Sequence, residues 1–190
     1  MRIISGKLKN RTINFVKSST TRPLKDSVKE NIFNILEHSN LINLKIKTSN
    51  VLDLYSGIGS FGIECISRGA KKVTFVEQDS VASNILKNNL TKLLITNYAV
   101  VIKNKIEEFI CTNIKDKFNI FFLDPPFLDK EFIQNLNIIK KAKIYKNNHI
   151  VIIHRERKAD DNLEQIINII SIKQYGRSKI IFGVFNSAVF

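Results

Sequence analysis

Val51-Leu52-Asp53-Leu54-Tyr55-Ser56-Gly57-Ile58-Gly59-Ser60-Phe61-Gly62 decides the fold. A short apolar run breaks off at a G-x-G-x-x-G whose last glycine already lies inside a helical pattern over residues 60–68. A buried strand running straight into a helix carries this signature, because glycines permit a tight turn and let a ligand approach the backbone closely. Glu77 follows twenty residues after Gly57, at the end of the next apolar run, where an acid can accept hydrogen bonds from ribose hydroxyls. Together these residues specify an adenosine-containing cofactor, and the spacing suits a dinucleotide and S-adenosylmethionine alike. Asp53 separates the two in part: an acid within the first strand repels a pyrophosphate but suits the ammonium of a methionyl group.

Outward from this loop, apolar runs at 73–77, 99–102, 118–123 and 150–154 alternate with helical patterns at 80–93, 106–115 and 130–141. Such alternation predicts an α/β fold with a mostly parallel sheet covered on both faces. Two more runs, 167–173 and 180–185, are separated by six residues that include Gly176, too few for a helical crossover. They are expected to close a seven-stranded sheet as an antiparallel hairpin. Before the loop, Asp26 is expected to cap a helix that places Val28, Ile32, Ile35 and Leu36 on one face, and residues 37–49 read as a polar connection.

Asp124-Pro125-Pro126-Phe127 comes directly after the fourth run. Two prolines carry no N–H and fix φ, so they stop the strand and hold the neighbouring carbonyls in one orientation. An acid followed by fixed carbonyls can accept both hydrogens of a planar –NH2 group, and a following aromatic ring offers a stacking face to a base. The plainer alternative is a strand stop with a core Phe. Asn104, just past the third run, either hydrogen-bonds an adenine edge or caps the helix that begins near Ile106. Glycine loop, Glu77, Asn104 and the Asp-Pro-Pro-Phe turn all fall on the carboxyl edge of the predicted sheet, where open α/β sheets bind ligands.

Thirty basic against seventeen acidic residues give a net charge of +13. That balance favours a polyanionic partner, nucleic acid above all. Residues 1–30 hold eight basic side chains (Arg2, Lys7, Lys9, Arg11, Lys17, Arg22, Lys25 and Lys29) against Asp26 and Glu30, which reads as a binding arm. No apolar run approaches the ~18 residues of a membrane span, and the N-terminus lacks the pattern of a secretory signal. Cys65 and Cys111 have no partners at metal-ligand spacing and are expected to be reduced structural residues, in keeping with a cytoplasmic location. His38, His149 and His154 are scattered and suggest no site.

The order D-x-x-x-G-x-G, acid, D-P-P-F resembles a Rossmann-like class I S-adenosylmethionine-dependent methyltransferase that modifies amino groups. Within that class, Arg2-Ile3-Ile4-Ser5-Gly6, Arg11, and Thr21-Arg22-Pro23-Leu24-Lys25-Asp26-Ser27-Val28-Lys29-Glu30-Asn31-Ile32-Phe33-Asn34 resemble the RsmD family. Lys9-Asn10-Arg11 departs from it, standing where the family usually has a glycine before the arginine. The resemblance implies methylation of the N2 amine of a guanine in small-subunit (16S) ribosomal RNA. It implies an assembled or partly assembled small subunit as substrate; the sequence itself suggests no membrane, no metal and no obligate protein partner. Residues and resemblance together make Asp124, Pro125, Pro126 and Phe127 the candidate catalytic set. Asp53, Tyr55, Ser56, Gly57, Gly59, Glu77, Gln78, Asn104 and Asp124 are the candidate cofactor-binding residues. Arg11, Arg22 and Lys25 are the candidate RNA contacts, on an arm and helix (residues 1–40) preceding a methyltransferase domain (41–190). The rival expectations are a DNA adenine-N6 or cytosine-N4 methyltransferase and a non-catalytic RNA-binding assembly factor.

Overall fold

The computed structural model describes residues 1–15, 24–112 and 114–186. In order, they form α1 (Asp26–His38), β1 (Asn50–Leu54), α2 (Ser60–Ser67), β2 (Lys72–Val76), α3 (Ser80–Lys92), β3 (Ala99–Ile102), α4 (Ile106–Cys111), β4 (Phe118–Leu123), α5 (Glu131–Ala142), β5 (Tyr145–Glu156), β6 (Ile167–Tyr175) and β7 (Ser178–Phe185). The seven strands make one sheet in the order β3-β2-β1-β4-β5-β7-β6. The first five are parallel, while β7 runs antiparallel to both β5 and β6. The strand order reverses between β1 and β4, so their carboxyl ends flank a crevice.

Side chains alternate across a strand, and each buried strand therefore feeds two cores. Val51, Val73, Phe75, Ile120, Phe122, Ile150 and Ile152 join residues of α1, α2 and α3 on one face. Leu52, Leu54, Val76, Phe121, Leu123, Val151 and Ile153 join α4 and α5 on the other. Phe33, Phe61 and Phe122 stack in a column from α1 through α2 to the sheet, with ring centroids 5.1 and 4.0 Å apart. No helix among the described residues is long and apolar enough to cross a membrane.

Several local expectations are corrected. Lys25, not Asp26, occupies the N-cap of α1, and no side chain caps it. Ile42, Leu44 and Ile46 are buried, so the 37–49 connection is part of the core on the α1 face although it forms no regular element. The α4 helix stops at Cys111, leaving that cysteine exposed and only Cys65 in the core. β5 begins at Tyr145, five residues before its apolar run, because its polar start still pairs with β4: Phe118 lies opposite Tyr145.

The N-terminal residues fold back on themselves. Ile3 N–H donates to the Arg11 carbonyl, Asn10 N–H to the Ile3 carbonyl, and Arg2 and Thr12 form an antiparallel bridge. Asn10 has φ +69°, a conformation that favours glycine and that Asn tolerates better than most residues. The departure from the family pattern at Lys9-Asn10-Arg11 thus retains the backbone that a glycine would supply.

This hairpin docks on α2 through one carboxylate. Glu64, fully buried, accepts from Ile4 N–H (2.8 Å), Ser5 N–H (2.9 Å) and Arg68 Nε (3.0 Å), with Lys29 Nζ at 3.9 Å. Lys29, counted above with the basic arm, points inward instead, donating to the Arg2 carbonyl and Ser60 Oγ. Burial pulls its pKa below the ordinary value. Asn89, also fully buried, accepts from Asn14 N–H (2.8 Å) and donates to the carbonyls of Asn14 and of Ile58 in the glycine loop.

Candidate active site

The glycine loop joins β1 to α2 and is closed by Gly59 N–H donating to the Ser56 carbonyl. Gly59 has φ +84°, and a methyl group there would sit 2.4 Å from Leu86 Cδ1 and 3.3 Å from Ile63 Cδ1 and Phe75 Cε1. Gly57 has φ +53° with nothing within 4 Å of where a Cβ would stand, so its backbone faces open space. Glu77, just past β2, accepts from Gly57 N–H (2.7 Å) and Asp79 N–H (2.8 Å). The loop and the acid of the neighbouring strand are therefore one hydrogen-bonded unit, with a second lone pair on each carboxylate oxygen still available.

Asp53 lies beneath the loop rather than on its rim. It is 2% exposed, and its Oδ2 accepts from Gly62 N–H in the first turn of α2. Burial pushes its carboxyl well above the ordinary value of 3.8, opposed by the Gly62 N–H and reinforced by the charges of Asp124 and Glu77. Tyr55 has φ +55°, and its hydroxyl accepts from Asn135 Nδ2 of α5 at 3.1 Å. Burial raises the pKa of that phenol. Ser56 Oγ is buried and, among the described residues, has no hydrogen-bond partner. Gln78 and Asn104 line an open depression of about 540 Å³ between the ends of β2 and β3, with Lys103 and Lys105 on its β3 side. Asn104 Oδ1 accepts from Lys105 N–H, while α4 is N-capped by Lys105 without a side-chain bond, so the capping alternative for Asn104 is not realised.

An adenosine-bearing cofactor fits these residues. The orphaned Ser56 hydroxyl, the open backbone at Gly57 and the Glu77 carboxylate converge on one side of the crevice. Buried polar atoms ordinarily have partners, so an unpaired hydroxyl at a crevice marks a place where one can be supplied from outside. No group of three or more His, Cys, Asp or Glu side chains suited to a metal occurs among the described residues.

The Asp-Pro-Pro-Phe turn follows β4, immediately beside β1: Leu54 pairs with Leu123, which puts Tyr55 and Asp124 at the same edge. Asp124 Oδ1 lies 2.8 Å from His154 Nδ1. The Pro126 carbonyl accepts from Asp129 N–H (2.9 Å) and from Arg155 Nη1 (3.1 Å). Arg155 is buried against Asp161, which it holds through Nε and Nη2 at 2.9 and 3.1 Å, and its guanidinium lies 4.4 Å from the Phe132 ring centroid. Phe127 is partly exposed, edge-on to the His154 ring at 5.8 Å. Among the described residues, neither Asp124 Oδ2 nor the Pro125 carbonyl has a hydrogen-bond partner.

His154 and Arg155 are the residues that sequence reasoning missed. The signal was present in the topology: β4 and β5 are parallel neighbours with Leu123 opposite Ile153, so whatever follows Ile153 stands beside Asp124. Of the candidate RNA contacts, Arg11 and Lys25 are exposed and Arg22 lies outside the described residues. Arg11 makes a long contact of 3.5 Å to the Leu93 carbonyl.

Residues 1–184 match the family described as Conserved hypothetical protein 95. The chain is 34% identical over 185 residues to the ribosomal RNA small subunit methyltransferase D of Buchnera aphidicola subsp. Baizongia pistaciae, covering 97% of this chain and 91% of that one. It is 35% identical over 159 residues to the protein of the same name from Haemophilus influenzae, with coverages of 83% and 79%. The solved structure of Escherichia coli yhhF superimposes with a TM-score of 0.83 at 24% identity, covering 98% of each chain. The sheet order, the helical layers and the closing hairpin are those of the Rossmann-like class I methyltransferase fold.

Proposed function

The chain belongs to the family described as Conserved hypothetical protein 95, the RsmD family, and on that premise we propose that it methylates the exocyclic N2 amine of a guanine in small-subunit ribosomal RNA. The observation that carries this reading is a pair of acceptors without partners among the described residues, Asp124 Oδ2 and the Pro125 carbonyl, on the same sheet edge as the glycine loop. The names of the relatives support ribosomal RNA as the substrate class. The Arg2 to Asn34 resemblance supports guanine N2.

S-adenosylmethionine, when bound, supplies an electrophilic methyl group. Glu77 and Asn104 would hold its ribose and adenine ends, and the backbone from Ser56 to Gly59 would lie against its body. The guanine amine is conjugated with its ring and weakly nucleophilic. Asp124 Oδ2 and the Pro125 carbonyl accept its two N–H bonds and orient the nitrogen lone pair, while Phe127 stacks on the extruded base. Orientation of this kind is worth ~7 kcal/mol or more. The Asp124 carboxylate also balances the positive charge that develops on nitrogen before its proton leaves. Arg11, Arg22 and Lys25 contact phosphates, with residues 1–40 serving as the RNA-contacting extension of the catalytic domain.

The test is incubation with small subunits that lack the modification, alongside naked RNA and duplex DNA, followed by nucleoside mass spectrometry. N2-methylguanosine is expected from the subunits, and methyl groups on adenine or cytosine overturn the choice of base. Asp124→Ala is expected to abolish turnover while S-adenosylmethionine binding stays within a few-fold.

A further inference from the structure

His154 and Arg155 are consecutive residues of β5, so their side chains leave the strand on opposite faces. His154 shares the face of Ile152, and Arg155 that of Ile153, against Phe132 of α5. Both reach the Asp124–Phe127 turn, one from each side. His154 Nδ1 meets Asp124 Oδ1, and Arg155 Nη1 meets the Pro126 carbonyl. An ionised carboxylate only accepts, so Nδ1 carries the proton and donates it to Oδ1. Arg155 is 2% exposed and locked by two parallel bonds to Asp161, which fix the plane of its fork.

We propose that His154 and Arg155 form a two-point clamp that selects the substrate-facing oxygens of the turn. The proposal rests on the reading above, that this turn accepts a base amine. Six oxygens lie along it: the two of the Asp124 carboxylate and the carbonyls of Asp124, Pro125, Pro126 and Phe127. The clamp takes Asp124 Oδ1 and the Pro126 carbonyl, the latter already engaged by Asp129 N–H. Of the carboxylate and the two proline carbonyls, one carboxylate oxygen and the Pro125 carbonyl are left without a partner among the described residues, the number needed for one –NH2 group. Without His154 the carboxylate turns about χ2, and its free oxygen no longer has a fixed position. Without Arg155 the Pro126 carbonyl competes as a third acceptor. Both are positioning residues, acting through Asp124 and Pro126 rather than on the base.

The clamp predicts a loss in kcat without loss of donor binding. In the full chain acting on unmodified small subunits, His154→Phe is expected to lower kcat ~100-fold, the cost typical of a misplaced reacting group, with the S-adenosylmethionine Kd from calorimetry unchanged within about threefold. His154→Asn retains an N–H at about the reach of Nδ1 and is expected to recover most of that loss. Arg155→Lys keeps the charge but not the fork, and is expected to lower kcat at least ~10-fold. Because Arg155 is buried, this variant counts only if its circular dichroism matches the wild type; the His154 pair decides the matter regardless.

A purely structural His154 would lower the melting temperature and leave kcat intact in the cold. His154→Phe with near-normal kcat, or His154→Asn as impaired as His154→Phe, overturns the clamp. Wild-type enzyme that forms no N2-methylguanosine overturns the underlying reading instead, and the clamp with it.

Discussion

The two glycines of the loop have different jobs, and replacing each by alanine separates them. Both have positive φ, so either alanine costs ~1 kcal/mol or somewhat more for the left-handed conformation. At Gly59 the new methyl also meets Leu86 Cδ1 at 2.4 Å, with Ile63 and Phe75 close on other sides. Leu86 and Ile63 are fully buried and have no free space to move into, so overpacking adds ~1–3 kcal/mol. The total for Gly59→Ala is ~2–4 kcal/mol. With an m-value of about 2 kcal/mol/M, the urea midpoint falls by ~1–2 M. At Gly57 no atom lies within reach, so Gly57→Ala is expected to lower stability by only ~1 kcal/mol. Its methyl instead projects into the space where the cofactor is expected, raising the S-adenosylmethionine Kd on the order of tenfold or more. Urea unfolding followed by circular dichroism, with calorimetry for the donor, reads both effects. Equal midpoints for the two variants, or a Gly59→Ala midpoint equal to that of the wild type, would refute this division of labour.

Three further outcomes are expected. His149 accepts from Phe185 N–H at Nε2 and bonds the Lys146 carbonyl through Nδ1, so it is neutral in the fold, and burial lowers its pKa below 6.5. The unfolded chain then binds the extra proton first, and stability declines as pH falls through 6.5 toward the folded-state pKa, by at most ~1.4 kcal/mol per unit; urea midpoints at pH 7.5 and 5.5 should show this, and His149→Gln should flatten it. Glu64→Gln leaves Lys29 and Arg68 facing a neutral buried amide, a loss of ~3–5 kcal/mol, and should speed hydrogen exchange at Ile4 and Ser5 more than in the strands. RNA affinity should fall steeply with salt, and Arg11→Ala or Lys25→Ala should each reduce the log–log slope by roughly 0.7; a flat dependence between low and moderate salt would remove the arm from RNA binding.

The parts of the fold legible in the sequence were those with local causes. Alternating apolar runs announced all seven strands, the six-residue gap announced the hairpin, and the glycine spacing announced the β1–α2 turn. What escaped notice depended on distant partners. Lys29 reads as one more basic residue of an exposed arm until Glu64 and the Arg2 carbonyl are seen around it. Residues 37–49 look polar because Ile42, Leu44 and Ile46 alternate with Asn and Lys, a pattern that buries one side of an irregular segment. His154 looks solitary because Asp124 is thirty residues earlier, and only the β4–β5 pairing joins them. In the candidate site, the Asp-Pro-Pro-Phe turn and the loop were visible as motifs, whereas His154 and Arg155, which bond to the turn, carry no motif.

The attachment of the first fifteen residues bears on the order in which the protein can be made. Their anchors are Glu64, Ser67 and Asn89, some sixty to seventy-five positions later in the chain. During synthesis from the N-terminus the basic hairpin therefore waits, unanchored and close to the RNA-rich surface of the ribosome producing it, until α3 has emerged. The side chain that finally secures it, Asn89, also bonds the Ile58 carbonyl of the glycine loop. The nascent chain thus seats this hairpin only once the residues of the glycine loop have been made, and before the Asp124–Phe127 turn has been.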